Sequence, residues 1–243
     1  MYKKWREKVT LHPTKGIWFC GGIFISSMTK DNITNRSIHA KLCGKIQEYD
    51  ENISLHLSNT SMYARIIAEV YALQNTACTI TDTYIDAIEA AAIVHDIGKL
   101  LIPGEILKKS GKLTGAEYLL MQGHAEIGAR ILESELSYRD EFANVCIETA
   151  RYHHERWDGT GYPEKLVADD IPLHAQIVSV ADIYDALTCE RVYKQAFSHE
   201  KACQIICNDE FRRFSPSILK TFESCSHMLK KSRIHQTKVR EKQ

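Results

Sequence analysis

A histidine closes an apolar helical stripe in this chain. Ile85, Ile88, Ala92 and His95 follow i, i+3, i+7, i+10, which sets all four on one face of a helix over residues 82–95. An inward imidazole is costly unless it finds a partner. This one is followed at once by Asp96 and then by Gly98, which suits the turn at a helix end. The pattern recurs downstream. Thr114-Gly115-Ala116-Glu117 is a capping box that starts a helix, and on it Met121, His124, Gly128 and Ile131 share one face. His124 therefore points inward, and Gly128 admits a close neighbour. A helix over 139–154 delivers His153 and His154 at its C-terminal end, and another from Pro172 turns Ala175, Val178, Asp182 and Asp185 inward. An earlier helix over 53–73 carries His56. From residue 53 to 222 helix follows helix, so the expected fold is all-α.

A lone inward histidine is more often a hydrogen-bonded core residue than a ligand, and a lone aspartate can cap a helix. The set His56, His95, Asp96, His124, His153, His154 and Asp182 is harder to satisfy that way. Burying such groups unpaired costs several kcal/mol each by the usual order of magnitude. Neutral imidazoles and ionised carboxylates around a metal remove that cost. Nitrogen and oxygen donors beside a lysine, Lys99, make a site suited to phosphate.

A chain of 243 residues can bury one substantial core. We divide it into a short leader over 1–50, the helical domain over 51–229, and a basic tail over 230–243 expected to be flexible. Lys and Arg total 31, as do Asp and Glu, so no global positive field favours a nucleic-acid polymer or a membrane surface. The 8 cysteines include no CxxC pair, which disfavours a zinc ribbon and fits a reducing cytoplasm without disulfides. A basic start over 1–8 precedes an apolar run over 17–25, the order of a signal peptide. The run is too short to span a bilayer and is broken by Gly21-Gly22, so a buried packing segment is expected.

The text HDIGKLLIPGEILKKSGKLTGAEYLLMQGH (95–124), HHERWDGTGYP (153–163) and IPLHAQIVSVADIYDALTCERVYKQAF (171–197) resembles the HD-GYP branch of the HD-domain metal-dependent phosphohydrolases. A bare His-Asp pair would carry no weight; long matches in the family's order do. The resemblance implies an HD-domain helical bundle that hydrolyses cyclic di-GMP to linear pGpG, and in some members to GMP, through a hydroxide held by two divalent cations, iron or manganese. It assigns metal ligation to His56, His95, Asp96, His124, His153, His154 and Asp182, with Asp96 the bridge. Lys99, Arg191 and Lys194 are implied phosphate contacts. Tyr162 lies in the eponymous loop Gly161-Tyr162-Pro163, where it can stack on guanine or pack the loop, as can Trp157. A regulatory protein partner at this loop is also implied. Asp185, one turn beyond Asp182, is a candidate to orient a ligand or accept a proton.

The chain departs from the family in places. Asn52 stands where some members have a glutamate for a third metal, Asn59 and Gln176 where arginine is common, and Phe214-Ser215-Pro216 where Phe-Asp-Pro is usual. Other readings stay open: a phosphodiesterase for 3′,3′-cyclic GMP-AMP, a mononucleotide phosphohydrolase, or a non-catalytic cyclic di-GMP receptor.

Overall fold

Amphipathic helices that bury one stripe each against a neighbour build the described architecture. The structure, a computed structural model, describes residues 30–49, 51–76, 79–189, 195–208 and 213–240. In chain order the α-helices are α1 (Lys30–Tyr49), α2 (Glu51–Gln74), α3 (Asp82–Val94), α4 (Gly104–Leu107), α5 (Gly115–Gln122), α6 (His124–Glu135), α7 (Glu141–Tyr152), α8 (Leu173–Thr188), α9 (His199–Cys207) and α10 (Pro216–Arg240). Ile97–Leu101 and Ala168–Asp170 are 3₁₀ turns, and the only β pairing among the described residues is an isolated bridge between Asp158 and Val167. The chain is an all-α bundle, as expected.

Local chemistry sets the helix ends. Thr81 caps α3 by accepting from the Tyr84 N–H, and Asp140 caps α7 by accepting from the Ala143 N–H. Thr114 and Glu117 make the reciprocal capping box of α5. Helix α2 lies at the centre, packed by α3, α8 and α10, while α7 packs between α3 and α6. Tyr63, Ile67, Ile88, Leu132, Ile177, Tyr184 and Phe222 are fully buried. Tyr184 meets Tyr63 and Phe222 edge to face, at centroid distances of 5.0 and 5.7 Å.

The structure differs from the sequence reading in several places. The helix begun by the capping box does not run unbroken past His124; it is interrupted at Gly123 and resumes as α6. Gly98 is required by proximity rather than by a turn of unusual backbone. A Cβ there would lie 1.9 Å from the His124 carbonyl oxygen and 2.6 Å from the Gly128 nitrogen. This contact presses the turn after His95 onto the helix that carries His124. Residues 30–49, assigned to the leader, form α1, whose Leu42 and Ile46 enter the core. Helix α10 continues through the segment assigned to a flexible tail, where Lys230 pairs with Glu200 and Arg233 donates to the Thr188 carbonyl. The basic start, the apolar run over 17–25, Arg191 and Lys194 lie outside the described residues, as does the side chain of Asn52. Cys43, Cys146, Cys189, Cys203, Cys207 and Cys225 are free thiols. No described helix is long and apolar enough to cross a membrane.

Candidate metal centre

The ligand candidates converge because they sit at helix junctions facing one point. His95 ends α3, His124 opens α6 after the break at Gly123, and His153 ends α7. At such ends backbone carbonyls lack helical partners. Each ring uses one. His95 Nδ1 donates to the Ala92 carbonyl at 2.8 Å, His124 Nδ1 to the Met121 carbonyl at 2.6 Å, and His153 Nδ1 to the Thr149 and Ala150 carbonyls at 3.0 and 3.1 Å. The same contact, ring to the carbonyl three residues earlier, occurs in all of them. With the proton held on Nδ1, each Nε2 is a lone-pair acceptor aimed inward.

Those acceptors face one another. His124 Nε2 lies 3.4 Å from His153 Nε2 and 3.2 Å from Asp96 Oδ1, while His153 Nε2 is 3.7 Å from the same oxygen. On the other side Asp96 Oδ2 lies 3.3 Å from His95 Nε2 and accepts from Lys99 Nζ. His95 Nε2 and Asp96 Oδ1 are buried without a hydrogen bond. Asp96 thus offers one oxygen to each of two ligand groups: His124, His153 and His154 with Asp96, and His56 and His95 with Asp96. A divalent cation in each group fits this donor set, since orphaned buried acceptors of nitrogen and oxygen type are what such an ion satisfies.

Electrostatics agree. Burial holds His153 down to about 4 and His154 well below the ordinary histidine range, so both are neutral and ready to ligate at pH 7. Burial opposes ionisation of Asp96, but the adjacent Lys99 ammonium leads the groups that outweigh it and hold the carboxyl well below its usual value. At His56 burial favours the neutral ring, yet Asp182 and Asp185 reverse this and push its pKa up to about 10. A cation held by Nε2 would have to take the place of that proton.

His56 is oriented differently. It lies inside α2, where the helical ladder engages the carbonyls. Its Nδ1 donates instead to Asp185 Oδ2 at 2.7 Å, which leaves Nε2 facing Asp182 Oδ1 at 3.2 Å. Asp182 thus lies beside His56 but belongs to neither ligand group. Asp185 is fully buried and holds the His56 ring through Oδ2.

Tyr162 stacks on His154 at 4.7 Å and 29°, so it covers a ligand ring as well as edging the site. Trp157 instead lines a shallow crevice with Gln176, Ser179, Phe214 and Ser215. Gly159 takes a φ of +77°, as glycine allows. Gly161 does not; a Cβ there would come within 2.4 Å of Arg156 N and Glu155 Cα, so the loop packs too tightly for a side chain. The sequence reading passed over Glu155. Its buried carboxylate accepts from the Glu164 N–H at 2.7 Å and the Leu166 N–H at 3.1 Å and so pins the Gly161-Tyr162-Pro163 loop. The available signal was an acid following two histidines directly. Arg156 ties the same turn to α8 by donating to the His153 carbonyl and to Ser179 Oγ.

A family model described as HD domain matches residues 48–218. The chain belongs to the HD-domain family. Its HD pair is His95-Asp96, and its Gly161-Tyr162-Pro163 loop puts it in the HD-GYP branch. It is 40% identical over 177 residues to a cyclic di-GMP phosphodiesterase of Vibrio cholerae, a match covering 71% of this chain and 36% of that protein. It is 32% identical over 186 residues to the 3′3′-cGAMP-specific phosphodiesterase 2 of the same organism, covering 76% of this chain and 34% of the relative. The HD-GYP chain therefore spans little more than a third of the length of these relatives. Among solved structures, Bd1817, an HDG"Y"P protein from Bdellovibrio bacteriovorus, shares the fold with a TM-score of 0.54 at 18% identity, over 82% of this chain and 63% of that one.

Proposed function

We propose that this HD-GYP chain is a metal-dependent phosphodiesterase that hydrolyses cyclic di-GMP to linear pGpG, with GMP as a further product. The observation that carries the reading is the meeting of His124 Nε2 and His153 Nε2, 3.4 Å apart, beside Asp96 Oδ1, with each Nδ1 already on a backbone carbonyl. Bound divalent cations, two in this reading and iron or manganese by donor type, supply Lewis acidity and a water acidified for attack. The chain's own residues do the rest. Asp96 turns an oxygen to each ligand group, and the backbone carbonyls keep every Nε2 of His95, His124 and His153 aimed inward. Lys99, three-tenths exposed at the edge of Asp96, is in reach of an incoming phosphate and neutralises charge that grows on its oxygens. Tyr162 presents the ring edge beside which a guanine packs, and Arg191 and Lys194 complete the phosphate contacts by resemblance. The protein is read as cytoplasmic, with no nucleic-acid polymer as partner, and the Gly161-Tyr162-Pro163 loop is the surface for a regulatory protein.

A second substrate, 3′,3′-cyclic GMP-AMP, is favoured by one observation, the relative of that specificity noted above. Metal-loaded protein incubated in parallel with each dinucleotide, with products resolved by chromatography, separates the readings. Faster formation of pGpG supports the first and faster cleavage of the hybrid dinucleotide the second. Tight binding of cyclic di-GMP by metal-free protein without any cleavage would make the chain a receptor and defeat both.

A further inference from the structure

We infer that Asn59 and Cys189 are positioning residues for the His56 side of the centre, acting through Asp185. The inference rests on the metal-centre reading and adds to it the side chains on which one half depends.

His95, His124 and His153 are each oriented by a backbone carbonyl at a helix end, which no side-chain substitution removes. The His56 Nδ1 has a side chain in that place, Asp185, 129 residues away in the chain. Asp185 is itself held. Its Oδ2 takes the His56 ring proton, and its Oδ1 accepts from Asn59 Nδ2 at 2.8 Å and from the Cys189 thiol at 3.1 Å. Asn59 sits three residues after His56 on α2, and Cys189 caps the end of α8, its N–H donating to the Asp185 carbonyl at 2.8 Å. The donors thus come from both helices that carry the His56 side and converge on one carboxylate oxygen.

Two details show that the arrangement serves Asp185. The Asn59 carbonyl oxygen is buried without a hydrogen bond. Turning the amide over would set that oxygen against the carboxylate, so Asp185 fixes the amide's orientation at the expense of its acceptor. The Cys189 thiol is kept protonated, because burial and then the charge of Asp185 push its pKa up to about 12. It therefore acts as an S–H donor and not as a thiolate ligand or nucleophile. With both donors in place the Asp185 carboxylate cannot swing away from His56, and the ring keeps Nε2 toward Asp182.

The test is Mn²⁺ uptake by metal-stripped full-length protein, followed by equilibrium dialysis and by the electron paramagnetic resonance of the bound ion. The variants are Asn59→Leu, Cys189→Ala, their combination, and Cys189→Ser, which restores a donor. Partners behind a ligand are worth about 10- to 100-fold in metal affinity. The expected result is that wild type binds about two equivalents, while the double variant holds one as before and loses about 10- to 100-fold in affinity for the other. Cys189→Ser should stay close to wild type. Circular dichroism checks folding; if Asn59→Leu unfolds the chain, Asn59→Ser combined with Cys189→Ala carries the same expectation. Two undiminished equivalents in the double variant, or equal weakening of both, overturn the inference alone. A wild type that takes up no Mn²⁺ overturns the metal-centre reading and this inference with it.

Discussion

His124 Nε2 and His153 Nε2 lie 3.4 Å apart, and on the other side of each ring a backbone carbonyl stands to accept the Nδ1 proton. Asp96 Oδ1, 3.2 Å from the first nitrogen, adds a third acceptor to the same point. Buried acceptors do not gather so without a cation to share. The relationship ties the family's name-giving His-Asp pair to residues on α6 and α7.

Asp96 is the only described carboxylate common to both ligand groups. Asp96→Ala should therefore lower bound metal from about two equivalents to one or fewer and abolish measurable turnover, with the helical signal intact. Lys99→Met should keep the metal and lose about 10²-fold in kcat, the usual scale for one charge-stabilising donor. Metal analysis beside steady-state kinetics separates the two. Normal cleavage by Asp96→Ala would sink the proposed chemistry.

Stripping the metal should cost stability as well as activity. A ligand that binds only the folded chain stabilises it by about 3 kcal/mol at a hundredfold excess over its Kd. Chelator should therefore lower the melting temperature, and Mn²⁺ should restore it. His153→Gln should reduce that difference, since it removes a donor from the group with Asp96. Scanning calorimetry of the chelated and metal-loaded forms reads both.

Gly98 touches the backbone that carries His124. A Cβ at 1.9 Å from the His124 carbonyl oxygen has no flexible side chain to displace. Gly98→Ala should cost at least about 1–3 kcal/mol of stability, as overpacking does, and should weaken metal uptake by moving α6. Urea denaturation checks the first. By contrast Gly104→Ala, where a Cβ meets nothing within 4 Å, should be tolerated.

Glu155→Ala should free the Gly161-Tyr162-Pro163 loop without removing a ligand. The Glu164 and Leu166 N–H groups lose their acceptor, so limited proteolysis over 158–167 should speed up. KM should rise more than kcat falls, because the loop edges the site and does not form the ion cage. Unchanged proteolysis would refute the pinning role.

His39 on α1 gives a pH dependence that does not involve the centre. Burial first, and the Arg36 charge as well, lower its pKa from the ordinary 6.5, against the hydrogen bond that its Nε2 donates to the Ala90 carbonyl. The folded chain thus resists a proton that the unfolded chain accepts. The resulting loss of stability is absent well above pH 6.5 and grows as pH falls below it. His39→Gln should make the fall of stability below pH 6.5 shallower than in wild type, read as the melting temperature of metal-loaded protein against pH.

Much of this was legible in the primary structure, because helical periodicity and capping are local. The stripe Ile85, Ile88, Ala92, His95 and the box Thr114 to Glu117 depend on residues a turn apart, and both appear as the spacing predicts. So do the inward positions of His124 and Asp185. What the tertiary structure decided depends on distance in space between residues far apart in sequence. Whether Asp185 faced the centre or backed a ligand followed from where α2 stood against α8. Gly98 looked like a turn residue until α6 was packed on it. The break at Gly123 gave no local warning, yet beside it the Met121 carbonyl aims the His124 ring. Sequence determined which face of each helix would turn inward, since that follows from the helix's own periodicity; only the assembled bundle decided which nitrogen of each ring would look inward, since that depends on what lies behind it.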